Sequence, residues 1–371
     1  MAATFDKAFD LFPSSDDDSR VLHTNIYLTI RALAYKCVDV QFYISVCGVF
    51  LTLFHLLILT RKPMMTSSIM SIMICTAICD LLSMIELICV QRIIVTRIPS
   101  DCVPPISLFI LNIFDVLQSI RDDLIRCSTW LSVLMALIRY SVLKLASNPA
   151  RSQRLACFSF GFIVFGIALT ISTVFSIFYF FKLKIDLTGE WSPAEHCPDQ
   201  SIGTLPVYET HISDLFSFHD GIVHRVFMFL NGTTAKILPC ILFPLLTILL
   251  ISELRTTQNK RRESTVSLSD KNKAERTTGL VIFMSVSFFI ALLPSGVMTS
   301  LAAVYTDVGF LYMTNNIDHI CYTLLTLNAT LHCFICFAMS SQYRRTVSIV
   351  LKLPNNRKNS VVTSSFNSRL T

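Results

Sequence analysis

Residues 69–90 read IMSIMICTAICDLLSMIELICV, and this stretch decides the fold class. Only Asp80 and Glu86 carry charge in a run long enough to cross a bilayer, which takes roughly 20 helical residues. Because lipid offers no hydrogen-bond partners, a spanning backbone must satisfy its own, so this stretch is predicted to be a helix. Hydrophobic residues make up 53% of the chain and charged residues 15%, far less charge than a soluble domain carries.

Six further apolar stretches accompany this one, so the sequence predicts seven membrane-spanning helices. The predicted spans are Val40–Leu59, Ile69–Val90, Leu124–Val142, Leu155–Phe181, Phe227–Ile251, Leu280–Val304 and Ile317–Met339. The third is the least clear, since four charged residues crowd positions 121–126. The predicted fold class is an all-α membrane protein, a bundle of seven transmembrane helices followed by a short amphipathic eighth helix.

Basic residues collect on one side of the predicted bundle. That side holds 19 Lys and Arg against 4 acidic residues, in segments 61–68, 139–154, 253–279 and 340–371. The other side holds 9 basic and 16 acidic residues, in segments 1–39, 91–105, 182–225 and 305–318. A Lys/Arg excess marks the cytoplasmic side. We therefore expect an extracellular N-terminus, a cytoplasmic C-terminus and a multi-pass protein of the plasma membrane, with no nucleic-acid partner.

The cysteines divide by location. Ten of the 13 lie in predicted spans, where a cysteine is an ordinary small core residue. Cys37, Cys102 and Cys197 lie on the predicted outer side, where oxidation occurs. A Cys102–Cys197 disulfide is favoured, and two free thiols or a pairing with Cys37 remain open.

Two charged residues stand out within the predicted spans. Asp80 lies about 16 Å along the helix from Ile69 at ~1.5 Å per residue, which is near the bilayer midplane. A carboxylate at that depth is costly and indicates function, although a protonated Asp that only packs is the alternative. Arg139, followed by Tyr140, marks the inner end of the third span, where a positive-inside residue is also expected.

The order of these motifs resembles a known family. It runs from Ala77-Ile78-Cys79-Asp80-Leu81-Leu82 and Arg139-Tyr140 to Pro239 in the fifth span and Phe288 and Pro294 in the sixth. This order resembles a rhodopsin-like G-protein-coupled receptor. More narrowly, it is similar to the nematode serpentine chemoreceptors of the Srw class, relatives of FMRFamide-type peptide receptors. Residues 122–130 (DDLIRCSTW), 135–140 (MALIRY) and 339–344 (MSSQYR) match as well, within a similarity that covers about residues 38–353.

The resemblance implies a receptor and not an enzyme. Such a receptor binds an extracellular neuropeptide or chemosensory cue, activates a heterotrimeric G protein and needs no cofactor or metal. The implied activation switch comprises Asp80, Arg139, Phe288, Pro294 and His332. The implied G-protein-facing residues are Arg139, Tyr140, Lys260, Arg261, Arg262 and Glu275, and Glu275 is a candidate partner for Arg139.

The chain departs from the wider superfamily at several switch positions. Ile138 stands where an acid usually precedes the third-span Arg, and Leu292 stands for the sixth-span Trp. The run His332-Cys333-Phe334-Ile335-Cys336 replaces the usual Asn-Pro-x-x-Tyr. Activation geometry is therefore expected to differ from that of typical members.

A charged cluster near the outer end of the third span is the predicted ligand pocket. Its members are Glu86, Arg121, Asp122, Asp123 and Arg126, and the two aspartates precede Arg126 by helical spacing. The alternative is a self-neutralised network that joins helices two and three. The outer loop 182–225, with 7 acidic and 3 basic residues, would steer cationic ligands such as Arg-containing peptides.

The predicted organisation has four parts. Residues 1–37 form an extracellular acidic N-terminus and 38–339 the seven-transmembrane receptor domain. Residues 340–353 form an amphipathic helix on the lipid surface, and 354–371 form a disordered Ser/Thr tail for a kinase or arrestin. A seven-span transporter or a non-signalling membrane protein is the alternative function. A transporter predicts internal repeats, of which the sequence shows no sign.

Overall fold

The computed structural model describes residues 8–95, 102–145, 148–194, 196–197, 203–262 and 268–352. Helices α1 to α10 are Asp17–Leu59, Ser68–Val95, Leu108–Lys144, Pro149–Ala156, Phe158–Lys182, Asp214–Leu230, Leu238–Arg262, Leu268–Leu301, Val308–Met339 and Ser341–Val350. Strands β1 (Leu183–Trp191) and β2 (Leu205–Ile212) lie between α5 and α6, and a π-helical turn, Asn231–Ile237, joins α6 to α7.

The seven spans are α1, α2, α3, α5, the continuous unit of α6, π turn and α7, α8, and α9. Within the described ranges, five helices are long and apolar enough to cross a membrane: α1, Ser68–Val90, α5, Gly221–Thr256 and α9. Helix α8 has a shorter apolar stretch, Ser285–Leu301. Helix α3 is less apolar because charged residues recur along it from Arg121 to Arg139. The architecture is an all-α, multi-pass membrane fold.

The first helix starts earlier than predicted. It begins at Asp17, so the predicted boundary between residues 37 and 38 falls inside a helix. Asp17 and Asp18 in its first turn favour this start, since negative charge stabilises a helix N-terminus. The preceding segment packs against the far end of the chain: Phe12 is fully buried, and the Ser14 hydroxyl donates to an Asp307 carboxylate oxygen at 2.6 Å.

The predicted outer loop 182–225 is more ordered than expected. It contains an antiparallel β-hairpin that pairs Leu183 with Ile212 and Trp191 with Leu205, and its last part, from Asp214, is helical. Cys197, between the strands, is bonded to Cys102 with an Sγ–Sγ distance of 2.09 Å. This disulfide ties the hairpin to the segment before α3. We call this end of the bundle the hairpin end and the end that carries α10 the opposite end.

Helix α3 is longer than its predicted span. It runs for 37 residues from Leu108, against a predicted start at Leu124. At ~1.5 Å per residue it is about 55 Å long, which exceeds the ~30 Å hydrocarbon core. The extra turns of α3 extend beyond the hydrocarbon core of the bilayer at the hairpin end, where the disulfide lies.

The fifth and sixth spans cross closely at a pair of glycines. Pro239 has no N–H and cannot donate to a carbonyl one turn earlier, and the π turn directly precedes it. A Cβ on Gly296 would lie 2.7 Å from Ile237 Cγ1 and 3.0 Å from Lys236 Cβ, and a Cβ on Gly232 would lie 2.4 Å from Ser300 Oγ. Only glycine permits this approach, which places Lys236 directly beside α8.

Helix α10 docks against the bundle through Tyr343 and Val347, which are buried in one cluster with residues of the first, second and seventh spans. Tyr343 is 1% exposed, and its hydroxyl lies 2.9 Å from His55 Nδ1 of α1 and 3.5 Å from Cys333 Sγ of α9. The Ser340 hydroxyl caps the helix by accepting from the Tyr343 N–H at 3.1 Å. The predicted eighth helix is thus present and fixed to the first and seventh spans.

Candidate functional site

Arg126 joins three spans near the hairpin end. Its Nε and Nη2 donate to the hydroxyls of Ser172 and Ser176 on α5, at 3.1 and 2.7 Å. Its Nη1 donates to the Asn231 side-chain oxygen in the π turn at 3.0 Å, and its guanidinium lies over the Phe175 ring. Arg126 is 8% exposed and makes no ion pair within 4.0 Å with an acid of the described residues. It therefore links the third span to the fourth and fifth.

The other predicted pocket residues separate into different groups. Glu86 and Arg121 pair with each other, with an Oε2–Nε distance of 3.5 Å and side chains 5% and 7% exposed. Asp123 faces α5, where its carboxylate accepts from the Thr173 hydroxyl at 2.9 Å. Of the other four predicted pocket residues, Asp122 is the one that lines the same cavity as Arg126. The five residues make different hydrogen bonds and ion pairs, and their role as a ligand pocket stays a prediction.

An ion pair between Lys236 and Asp318 was missed by the sequence analysis. Lys236 Nζ lies 3.0 Å from both carboxylate oxygens of Asp318 and donates to the Thr299 hydroxyl at 2.9 Å. The Ser295 hydroxyl donates to the same carboxylate. The two charged side chains are 10% and 19% exposed. This clamp, formed by Lys236, Asp318, Ser295 and Thr299, joins the fifth, sixth and seventh spans.

A small charged cavity lies where these groups meet. Asp122, Arg126, Lys236, Tyr179 and Tyr322 are among the residues that line it, and its volume is about 40 Å³. Ligand pockets usually measure ~300–1,000 Å³. Lys236 Nζ lies 5.9 Å from the centroid of the Tyr322 ring. The site is therefore closed in this arrangement, with charges of both signs around it.

Asp80 lies below this cavity and holds three spans together. Its Oδ1 accepts from the Ser128 hydroxyl of α3 at 2.6 Å, and its Oδ2 lies 3.8 Å from His332 Nδ1 of α9. A second cavity of about 50 Å³ extends from Arg121 past Asp80 to His332. Polar groups thus continue from the charged cavity to the middle of the bundle.

Phe288 separates the middle of the bundle from the opposite end. It is 4% exposed, packs on Phe243 with ring centroids 5.1 Å apart, and lines both the Asp80 cavity and the next cavity along. Phe289 is 39% exposed, so the pair of aromatic residues divides between core and surface. Pro294 lies on the exposed side of α8, one residue before Ser295 of the clamp.

Arg139 faces a cavity at the opposite end. This cavity measures about 170 Å³ and is lined by Arg139, His332, Phe288 and Tyr343 among others. The Arg139 guanidinium has no hydrogen bond or ion pair with any side chain that the structure describes. The side chains of Lys260, Arg261, Arg262 and Glu275 lie outside the described part of the chain, so the Arg139–Glu275 contact stays a prediction. The Tyr140 hydroxyl accepts from Lys144 Nζ at 3.2 Å.

These features define a class of protein, a seven-helix receptor. It has the charged cavity at one end, the carboxylate of Asp80 at the centre and Arg139 at the other end. Residues 39–353 match the family described as "Serpentine type 7TM GPCR chemoreceptor Srw". The chain belongs to this family, which confirms the resemblance predicted from the sequence, the seven-helix fold class and the expectation of a receptor rather than an enzyme.

The chain is also similar to a curated relative. It is 27% identical over 256 residues to "G-protein coupled receptor dmsr-1" of Caenorhabditis elegans. The matched region covers 58% of this chain and 48% of that protein, so the chain spans about half the length of its relative.

Proposed function

We propose that this protein is a ligand-activated receptor that promotes nucleotide exchange on a heterotrimeric G protein. The observation that carries the proposal is a column of polar side chains and small cavities, interrupted by Phe288, that runs through the bundle. It begins at the Lys236–Asp318 clamp, continues through Asp80 and His332, and reaches Arg139 past Phe288. In this proposal the column couples a ligand at one end to a partner at the other, and its contacts change when α8 moves.

The hairpin end is the extracellular side in this proposal. The Lys/Arg excess lies on the side of α10, and the Cys102–Cys197 disulfide suits an oxidising exterior. The N-terminus is then outside, the C-terminus is in the cytoplasm, and the receptor acts at the plasma membrane. A kinase or arrestin would act at the 354–371 tail, and α10 would lie on the inner leaflet.

The arrangement described here fits a resting receptor. The cavity beside Arg139 is about 170 Å³, and the Phe288 ring, packed on Phe243, lies between it and the Asp80 cavity. Activation then requires the inner half of α8 to bend outward at Pro294. This movement releases Phe288 from its contact with Phe243. A ligand favours the active state only if it binds that state more tightly than the resting state.

The ligand is a neuropeptide or a chemosensory molecule that carries charge. Asp122 and Asp318 would meet its cationic groups, and Arg126 and Lys236 would meet its acidic or amide groups. Because the cavity is closed, the ligand must open the contacts around Lys236 in order to enter. Ligand entry and release of the clamp are therefore one event.

A ligand screen tests the proposal. Cells that express the chain with a promiscuous G protein would receive an amidated-peptide library and a panel of volatile and soluble odorants, with calcium as the readout. Arg126→Ala and Arg139→Ala are the test variants. Arg151→Ala is the matched control, because Arg151 is exposed on α4, away from the column.

The variants separate binding from signalling. We expect Arg126→Ala to weaken the response to an active ligand at least tenfold, since three charge-assisted hydrogen bonds are lost. We expect Arg139→Ala to abolish signalling while ligand binding persists, and Arg151→Ala to behave as the unchanged chain. Equal responses from all three variants would contradict the proposal.

A further inference from the structure

A buried histidine near the hairpin end has no partner. His224 on α6 is 8% exposed, and neither ring nitrogen has a hydrogen bond within the described residues. Buried side-chain polar atoms in native proteins nearly always have a partner, so an exception calls for an explanation. A ligand that places a hydrogen-bonding group beside this ring would explain it.

Two basic side chains lie beside this histidine. Lys182 and Arg225 both act on the His224 ring electrostatically. The neighbours of Lys182 Nζ are the Met228 sulfur at 3.9 Å and the face of the Tyr179 ring at 5.3 Å. Arg225 Nε is also buried without a hydrogen-bond partner. Among the acidic side chains that the structure describes, which do not include that of Asp220, none lies within 4.0 Å of either cation, and Asp122 acts on Lys182 only from further away.

The acids of the same region point elsewhere. The side chains of Asp186, Glu209 and Asp214 are 43%, 60% and 94% exposed. Lys184, two residues after Lys182, pairs with Asp186 and Asp214 on this surface. The acids of this segment whose side chains the structure describes therefore face water, whereas two of its three basic residues, Lys182 and Arg225, are half-buried.

The basic residues also lie on the route to the charged cavity. His224, Met228 and Asn231 follow one another at helical spacing, so they share a face of the fifth span. Asn231 on that face accepts from Arg126. Aromatic rings line the same region, with Tyr179 and Phe227 centroids 6.4 Å apart and Phe216 packed edge-on against Phe227. A group bound here sits between the hairpin and Arg126.

We propose that Lys182, His224 and Arg225 form an anion subsite at the mouth of the ligand site. It takes a carboxylate, sulfate or phosphate group attached to an aromatic or apolar body. The inference rests on the proposed receptor function and names the ligand chemistry of that site: the ligand carries an acid that would partner the buried His224 ring and the two half-buried cations beside it.

Direct binding to the purified chain tests the subsite without a G protein. The full chain in nanodiscs of zwitterionic phosphatidylcholine would be titrated with phenyl phosphate, with benzylamine and benzyl alcohol as the cationic and neutral controls. Thermal unfolding followed by tryptophan fluorescence gives the Tm. We expect phenyl phosphate alone to raise the Tm in a saturable way.

The variants assign the effect to these residues. We expect Lys182→Gln and Arg225→Gln each to raise the apparent Kd for phenyl phosphate about tenfold or more, and the double variant to lose the shift. Lys184→Gln is the matched control and should keep the wild-type response. Lys182→Met should raise the Tm of the ligand-free protein, because it removes a half-buried charge that has no ion-pair partner among the described side chains, while Lys182→Arg should keep the response to phenyl phosphate.

The outcomes decide between anion sources and test the function separately. Nanodiscs of anionic phosphatidylglycerol that raise the Tm of the wild type, but not of the double variant, would place a lipid headgroup in the same subsite. An unchanged phenyl phosphate shift in the double variant, or a shift with benzylamine instead, would overturn the inference. A chain that binds phenyl phosphate through Lys182 yet never promotes nucleotide exchange would leave the subsite standing and refute the receptor proposal.

Discussion

Replacing Lys236 with methionine is expected to raise signalling without a ligand. The change keeps the length of the side chain and removes the charge that joins the fifth span to Asp318 and Thr299. If the clamp holds the resting arrangement, its loss favours the arrangement in which α8 has moved. Loss of one partner of a buried pair costs about 3–5 kcal/mol when the other partner stays buried.

The size of the effect follows from the two-state equilibrium. Couplings between sites are typically about 1–3 kcal/mol, a factor of roughly 5–150. A resting receptor with about 1% in the active state would then reach about 5–60%. Asp318→Asn should raise the basal activity by a similar factor, because it opens the same clamp from the other side.

Nucleotide exchange on a purified G protein is the assay. Wild type and variants in nanodiscs would be compared at equal amounts of folded receptor, since an unpaired buried charge also lowers stability. Lys184→Gln is the control: its ion pairs are about half-exposed, and such pairs contribute about 0–1 kcal/mol. Basal exchange that stays at the wild-type level in both Lys236→Met and Asp318→Asn would refute the reasoning.

Three further changes test the packing of the bundle. Gly296→Val should prevent folding or surface expression, because the added Cβ meets the fifth span at 2.7 Å, whereas Gly166→Val, with no atom within 4 Å, should express normally. Tyr343→Phe should lower the Tm measurably, since it removes a hydrogen bond to His55 worth about 1 kcal/mol; an unchanged Tm would show that α10 docks by apolar contact alone. Cys102→Ser should destabilise the hairpin end by about 2–5 kcal/mol, read as faster proteolysis of the hairpin, and equal cleavage rates would contradict this.

Composition determined the spans, but tertiary contacts determined their ends. Hydropathy alone locates the apolar centres of α2 and α5. Helix α1 instead continues back to Asp17, because the segment around Phe12 folds over its outer turns and buries residues such as Tyr27. The local sequence does not predict that contact, because the contact joins the N-terminal segment to α9, which lies near the other end of the sequence.

The clamp was missed because Asp318 was placed at the outer end of its predicted span. That span began at Ile317, and Asp318 was counted with the acids of the outer side. The helix in fact begins at Val308, which places Asp318 about 15 Å inside it at ~1.5 Å per residue. Lys236 carried a usable signal, since a lysine well inside an apolar span is itself an indication of function.

Helical spacing did not predict the hydrogen-bond partners of Arg126. Helical spacing placed Asp122 and Asp123 near Arg126, and local spacing cannot tell which neighbouring helix competes for the guanidinium. Ser172 and Ser176 of α5 provide the hydrogen bonds instead, because the fourth span packs on that face of α3. The resemblance implied Asp80 and His332 for one activation switch, and their side chains lie 3.8 Å apart. The contact of Asp80 with Ser128 was not predicted, and the switch itself stays a prediction.

The affinity of the receptor for its agonist, with and without nucleotide-free G protein, tests the central claim most directly. If the polar column couples the hairpin end to Arg139, the G protein must raise agonist affinity by the same factor by which the agonist raises G-protein affinity. We predict an increase of about 5–150-fold, which Arg139→Ala abolishes. The same agonist affinity with and without saturating G protein would contradict the coupling of the two ends.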